Sequence, residues 1–197
     1  MKAVVATRNL HKVREIAVLM DGLGYDLVII DDVAPNTVLR EDETTFEGNA
    51  FAKALQASAA TGLPAFADDS GLEVDALGGE PGVYSARYAG EPCDDSRNNA
   101  KLMAAMAAVP DGKRTARYRC AAAFVDPARD LRVVRFGACE GEILREFRGT
   151  DGFGYDPMFF LPELGRTMAQ IDLATKNSLS HRAQAFRALA DALRTGR

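Results

Sequence analysis

Short apolar runs typical of strands alternate along this 197-residue chain with segments whose apolar residues recur at helical spacing. KAVVAT (2–7) and DLVII (26–30) predict strands, and the spacing of residues 13–23 predicts a helix between them. TTFE (44–47) matches a capping box that opens a helix running to Thr61, before Gly62 and Pro64. This alternation indicates helices packed on a sheet.

The rest of the chain continues the pattern and adds a hairpin. PAFAD predicts a third strand that ends in a turn at Ser70-Gly71, and LEVDAL a fourth. Residues 78–95 contain four glycines and two prolines and predict an ordered loop, followed by a helix over 97–108. The strongest hairpin signal joins RYRCAAAFVD to LRVVRFGACEGEIL through a turn at 127–130, and a last helix is expected from Ser178 or Ser180. The prediction is an α/β fold with a mixed sheet, in a single domain over 1–197.

Composition excludes several classes of protein. No apolar run approaches the roughly 18 residues of a membrane span, and MKAVVATRN turns polar too early for a secretory signal. We therefore expect a cytoplasmic protein. The net charge of −4 argues against a general nucleic-acid binder, and two histidines argue against a His-rich metal site. Three cysteines without CxxC spacing are interpreted as free thiols.

Basic residues occur at two predicted helix starts, where the helix dipole disfavours them. TRNLHK places Arg8, His11 and Lys12 at the first start, and Lys176, His181 and Arg182 crowd the last. A helix start with flanking bases can bind phosphate, so an anion could account for both. Solvated basic residues remain the alternative at each.

The middle helix predicts a third polar group. Asn49, Lys53 and Gln56 share one helix face, which is either part of a site or an ordinary solvated stripe. Glu47 is explained by the capping box and needs no catalytic role.

Two adjacent acids, Asp68 and Asp69, follow an apolar run and resist burial unless cations lie nearby. In a strand their side chains point to opposite faces, so one would reach a ligand or metal while the other accepts backbone N–H bonds of the turn. Glu41, Asp42 and Glu43 precede the capped helix, and carboxylates from two segments suit Mg²⁺. The alternatives are an Asx-turn and a solvated acidic loop.

GTDGFGYDP (149–157) alternates glycines with aromatic residues. Glycine permits close approach of the backbone to a ligand, and exposed aromatic rings offer faces on which a base can stack. The alternative is a tight turn whose aromatics return to the core. Together with the phosphate and Mg²⁺ patterns, the segment predicts a nucleotide site.

The chain resembles the inosine triphosphate pyrophosphatase family in five motifs, which follow one another in the family's order from Thr7 to Arg182. They are TRNLHK, TFEGNAFAKA, ADDSGLEVDALGGEPGVYSARY, GFGYDP and KNSLSHR. The resemblance implies a two-lobed α/β fold on a long mixed sheet, with a nucleotide cleft between the lobes, and a homodimer. It implies Mg²⁺-dependent hydrolysis of ITP, dITP or XTP to monophosphate and pyrophosphate.

The resemblance also implies roles for single residues. Asp69 is the proton acceptor and, with Glu41, a metal ligand; many relatives have two acids where this chain has Arg40-Glu41, so Asp42 or Glu43 could substitute. The substrate-binding residues it implies are Thr7, Arg8, Asn9, Leu10, His11, Lys12, Lys53, Ser70, Phe153, Gly154, Tyr155, Asp156, Lys176, His181 and Arg182.

Two rival functions remain at this point. One is a pyrophosphatase for other nucleotides such as modified pyrimidines, which a panel of bases would separate. The other is a nucleotide- or RNA-binding regulator without turnover, against which the acids Glu41 and Asp69 argue. A purely structural protein would leave the basic helix starts unexplained.

Overall fold

A seven-stranded sheet of order β2-β1-β3-β4-β5-β6-β7 organises the computed structural model, which describes residues 1–196. The strands are β1 (Lys2–Val5), β2 (Asp26–Ile29), β3 (Ala65–Val74), β4 (Thr115–Asp126), β5 (Leu131–Ile143), β6 (Phe159–Leu161) and β7 (Arg166–Thr167). Strand β1 pairs in parallel with β2 and β3, whereas the β5–β6 and β6–β7 pairs are antiparallel. The α/β class and the mixed sheet are therefore confirmed.

The helices are α1 (Leu10–Leu19), α2 (Ile30–Val33), α3 (Phe46–Thr61), α4 (Asp95–Ala105), α5 (Leu173–Leu179) and α6 (His181–Thr195). Short 3₁₀ turns cover Asp75–Leu77, Gly82–Arg87, Pro127–Arg129 and Met168–Gln170. Within residues 1–196, no helix combines the length and apolarity that a bilayer crossing needs. Cys93, Cys120 and Cys139 form no disulfide within residues 1–196, as predicted.

The chain divides into two compact units. The first unit contains residues 1–69, 120–137 and 181–197, and the second contains 70–119 and 138–180. In the first unit, two apolar clusters form on the two faces of β3: Phe66 packs in one with residues of α1 and α6, and Ala65 and Ala67 pack in the other with alanines of α3. The sequence alternation along β3 thus determines which helix each residue meets.

The second unit has its own apolar core. Leu72 and Val74 of β3 are buried there with Leu102 and Met106 from the α4 segment, and with residues of β4, β5 and β6. The ring centroids of Tyr118 and Phe159 lie 4.5 Å apart in this core.

The predicted hairpin is confirmed, since β4 and β5 are joined through Pro127–Arg129. The turn predicted at Ser70-Gly71 is wrong, because β3 runs without interruption from Ala65 to Val74. The two adjacent acids required a metal ion, basic side chains or open solvent, and basic side chains neutralise them inside the strand.

Several helix boundaries also differ from the prediction. Thr45, not Thr44, caps α3 and accepts a bond from Gly48 N, so Glu47 cannot complete a capping box. Helix α4 begins at Asp95 with Asp94 as its cap, and the loop predicted over 78–95 contains the Gly82–Arg87 turn. The last helix begins at His181, and Lys176 belongs instead to the separate helix α5.

Candidate active site

Asp68 and Asp69 lie side by side in β3 and make contacts on opposite faces of the strand. Asp68 bonds to side chains of α1 and α6, whereas Asp69 bonds to side chains of α3. Both carboxylates are buried. The alternation expected from sequence is therefore confirmed, although neither acid braces a turn.

Asp68 lies at the centre of a buried charge network. Its Oδ2 is 3.0 Å from Lys12 Nζ and accepts bonds from Arg182 Nε and Nη2, both at 3.1 Å. Arg182, only 1% exposed, also donates from Nη1 to Glu15 Oε2 at 2.6 Å. Burial alone would raise the pKa of Asp68, but Lys12 and then Arg182 outweigh it and hold that pKa well below its usual range.

Asp69 has weaker electrostatic compensation. Asn49 Nδ2 donates to its Oδ2 at 3.0 Å, and Lys53 Nζ lies 3.7 Å from its Oδ1. Burial raises the pKa of Asp69 above that of an ordinary aspartate, because it outweighs the opposing effects of Lys53 and Lys12. Adjacent carboxylates therefore differ in character: Asp68 is held as an anion, and Asp69 accepts a proton more readily.

Glu41 reaches the same lysine as Asp69. Lys53 Nζ donates to Glu41 Oε1 and is itself buried. Burial favours protonation of Glu41, but Lys53 more than offsets it and lowers the pKa of this carboxyl. Two carboxylates from separate segments thus converge on one ammonium group.

This arrangement fits a divalent cation that is held partly by the protein and partly by the phosphates of a bound substrate. Among residues 1–196, no group of three or more His, Cys, Asp or Glu side chains forms a complete metal cage. Two carboxylates are nevertheless what Mg²⁺ commonly takes from protein when substrate phosphates and water supply the remaining oxygens. Glu41 and Asp69 fit that pattern, whereas Asp42 and Glu43 are exposed.

The side chain of Asn9 caps the N-terminus of α1. Asn9 Oδ1 accepts bonds from His11 N at 2.9 Å and Lys12 N at 3.3 Å, and Asn9 N donates to Thr7 Oγ1. Arg8 turns away to Asp31 at 2.8 Å and to the carbonyl oxygens of residues 35 and 37. Of the bases predicted here, Lys12 joins the Asp68 network, and Leu10 and His11 are exposed.

A second constellation forms in the second unit around Asp156. Its Oδ1 accepts from Tyr118 Oη at 3.1 Å, and its Oδ2 accepts from Lys176 Nζ at 2.8 Å and Phe153 N at 3.0 Å. Lys176 Nζ also lies 4.8 Å from the centroid of the Phe153 ring. Asp156 therefore fixes the ammonium group and the backbone that carries the aromatic ring.

Glycine is required beside this carboxylate. Gly152 has φ of 80°, and a Cβ placed there would lie 2.1 Å from Asp156 Oδ2. The expectation of an exposed aromatic platform is wrong for Tyr155, which is buried in the core and donates from Oη to Ser85 O at 2.8 Å. Phe153 is half-buried.

The predicted residues thus fall into two groups. The first unit brings together Lys12, Glu41, Lys53, Asp69 and Arg182, and it buries His181 at the start of α6. The second unit brings together Phe153, Asp156 and Lys176, and it begins at Ser70, which is half-buried in β3.

Sequence reasoning missed three partners of these residues. Glu15 follows Lys12 by three positions, and an acid beside the apolar Ile16 was a readable signal of a buried pair. Asp68 received no role of its own in the prediction, although it contacts two of the three buried cations, Lys12 and Arg182. Tyr118 gave no signal, because a tyrosine in a strand is ordinary.

Comparison with known proteins places these residues in a family. The sequence model of the Ham1 family matches residues 3–192. The dITP/XTP pyrophosphatase of Desulforamulus reducens is 52% identical over 187 residues, covering 95% of this chain and 92% of that protein. The dITP/XTP pyrophosphatase of Escherichia coli strain K12 is 47% identical over 196 residues, which cover 99% of each chain.

Solved structures agree with these relatives. A HAM1 protein from Coxiella burnetii matches with a TM-score of 0.89 and 39% identity over 99% of both chains. The Staphylococcus aureus Ham1 protein matches with a TM-score of 0.88 and 37% identity over the whole of both chains.

Proposed function

The chain belongs to the Ham1 family, and we propose that it hydrolyses dITP and XTP, and also ITP, to the nucleoside monophosphate and pyrophosphate. The observation that carries the proposal is the buried cluster of Lys12, Lys53 and Arg182 with Asp68 and Asp69. Buried charges are costly to maintain, so a cluster with cations and a proton-accepting carboxylate is typical of a catalytic site. Relatives named dITP/XTP pyrophosphatase support the choice of substrate.

Lys12 and Lys53 are proposed to bind the triphosphate. Each ammonium lies against a carboxylate, with Lys12 on Asp68 and Lys53 on Glu41 and Asp69. Phosphoryl-type transfer depends mainly on positioning and on neutralising charge, which fixed lysines provide. Asp68, held as an anion, keeps Lys12 in place and does not itself react.

Asp69 is proposed as the general base. It takes a proton from a water molecule whose oxygen attacks the α-phosphorus, and the bond from that phosphorus to the bridging oxygen breaks as pyrophosphate leaves. A raised pKa suits this role, because a base transfers protons best when its pKa approaches the working pH. Asn49 and Lys53 orient the carboxylate.

Mg²⁺ is proposed as the cofactor, with Glu41 and Asp69 as its protein ligands. When bound, it would neutralise phosphate charge and polarise the oxygens around the reacting phosphorus. Glu41 is better placed than Asp42 or Glu43, since it already lies with Asp69 at Lys53.

Base selection is assigned to donors that face a 6-oxo group. Hypoxanthine and xanthine accept hydrogen bonds at that position, whereas adenine presents an amino group that would oppose a donor. In this proposal Lys176 supplies a donor and Phe153 supplies an aromatic face, whereas the buried Arg182 donates to Asp68 and Glu15. The homodimer stays a prediction drawn from the resemblance, and the cytoplasmic location stays a prediction drawn from the sequence.

The proposed function is tested with a panel of dITP, XTP, ITP, dATP, GTP, CTP and UTP, each with and without Mg²⁺. We expect Mg²⁺-dependent pyrophosphate from the first three and little turnover of the others. A preference for CTP or UTP would favour a pyrimidine pyrophosphatase, and tight binding without product would favour a regulator. Either result would contradict the proposal.

A further inference from the structure

Both backbone polar groups of Gly154 are held by side chains of one helix. Gly154 N donates to Asp95 Oδ2 at 2.7 Å, and Gly154 O accepts from Asn99 Nδ2 at 2.9 Å. Asp95 and Asn99 are four residues apart on α4, so they lie on one face of that helix. The residue between Phe153 and Tyr155 is therefore fixed at both ends by α4.

This clamp acts on a residue whose conformation is easily changed. Gly154 has φ of 60°, in the left-handed region that glycine adopts readily, and a Cβ built on it would meet nothing within 4 Å. Glycine has more backbone conformations open to it than other residues, so the two hydrogen bonds to α4 help to keep this one. Its neighbour Phe153 carries the ring above Lys176 and donates its own N–H to Asp156.

Asn99 is not explained by a contribution to the stability of the fold. It is 9% exposed, and its Oδ1 has no hydrogen-bond partner among residues 1–196. A buried acceptor without a partner lowers the stability of the fold. Replacing this asparagine with an apolar residue would therefore cost the protein little stability. What the asparagine contributes is the hydrogen bond that its Nδ2 donates to Gly154 O.

The adjacent Asn98 offers a direct contrast. It is 2% exposed, accepts from Ala89 N at 2.7 Å and donates to Ala86 O at 2.8 Å. Its amide is satisfied on both sides, which is typical of a residue that stabilises a loop. Neighbouring asparagines on one helix thus make the same kind of contact to different segments.

We propose that Asp95 and Asn99 are positioning residues for nucleobase recognition: by fixing the Gly154 peptide, they set where the Phe153 ring and Lys176 present themselves to the base. The inference rests on the proposed function. Helix α4 is a suitable frame, because Leu102 anchors it in the core of the second unit. Neither residue takes part in the chemistry at phosphorus.

The test compares Asn99→Ala with Asn98→Ala, and Asp95→Ala with Asp95→Asn. For dITP we expect Asn99→Ala and Asp95→Ala to raise KM about five- to tenfold while kcat stays within about twofold, as for the loss of one or two hydrogen bonds. Asp95→Asn keeps an acceptor for Gly154 N, so its KM for dITP should stay close to the wild-type value. Asn98→Ala should leave KM unchanged yet lower the urea midpoint more than Asn99→Ala does.

Three results would overturn the inference. Equal KM changes in the two asparagine variants would mean that α4 acts only as a scaffold, and so would parallel losses of kcat and stability. If the wild-type protein binds dITP but releases no pyrophosphate, the proposed function fails, and Kd for dITP from calorimetry then replaces KM in the same comparison. If it does not bind dITP, both proposals are wrong.

Discussion

The buried cluster of the first unit and the constellation around Asp156 in the second unit use different physical means. In the first, Arg182, Lys12 and Lys53 face Asp68, Asp69 and their acidic neighbours as full charges. In the second, one ion pair between Lys176 and Asp156 is surrounded by a tyrosine hydroxyl, backbone groups and an aromatic ring.

The difference teaches how one chain can separate two tasks. In the proposed function, the opposed full charges hold and neutralise phosphates, and the carboxylate with a raised pKa accepts a proton. Fixed rings and backbone groups select a shape and a pattern of donors. Damage to the first unit should therefore reduce turnover, and damage to the second should change discrimination between bases.

The largest expected effect comes from Asp69→Asn. The amide keeps the size of the side chain but cannot take a proton, so kcat for dITP should fall by at least about 100-fold, in the range for removing a general base. Steady-state pyrophosphate release measures it, with circular dichroism as the control for folding. Turnover within tenfold of wild type would show that Asp69 is not the base.

Arg182→Met should have the next largest effect, on stability. The substitution leaves Asp68 and Glu15 buried with less positive charge, and breaking a buried ion pair costs about 3–5 kcal/mol in unfolding free energy. Tyr118→Phe is the matched change in the second unit, where losing one hydrogen bond to Asp156 costs about 1–3 kcal/mol. Urea denaturation of both variants gives the ranking, and the reverse order would contradict the contrast drawn between the units.

Asp75→Asn should have the smallest effect, since the ion pair between Asp75 and Arg117 lies on the surface. Hydrogen bonds from Arg117 and then Thr115 lower the pKa of Asp75. A carboxyl with a lowered folded-state pKa stabilises the fold above its unfolded pKa and loses that contribution as the pH falls through its folded pKa. Solvent screening limits the difference to about 1 kcal/mol or less.

Urea midpoints from neutral to strongly acidic pH check this pH dependence. The stability of wild type and Asp75→Asn should differ near neutral pH and converge in acid. A difference that grows as the pH falls would have the wrong sign.

Much of this arrangement follows from local sequence patterns. Period-two alternation assigned Asp68 and Asp69 to opposite faces of β3, and the spacing of Asn49 and Lys53 put them on one face of α3. Both features depend only on neighbouring residues, which is why they could be predicted.

The failures share a long-range cause. The turn predicted at Ser70-Gly71 followed from local residues alone, but β3 continues there, and Arg182, 114 residues from Asp68, neutralises that acid inside the strand. The 167-residue separation of Glu15 and Arg182 is likewise invisible to local patterns. Tyr155 resembled an exposed platform because no local pattern shows that its hydroxyl donates to Ser85, 70 residues away.

The central claim is that the first unit directs water to the α-phosphorus of a nucleoside triphosphate. It is tested most directly by hydrolysing dITP in ¹⁸O-labelled water and analysing both products by mass spectrometry. Attack at the α-phosphorus places the label in dIMP and leaves the pyrophosphate unlabelled, which is the predicted result. Label in pyrophosphate, or release of labelled orthophosphate, would contradict the account.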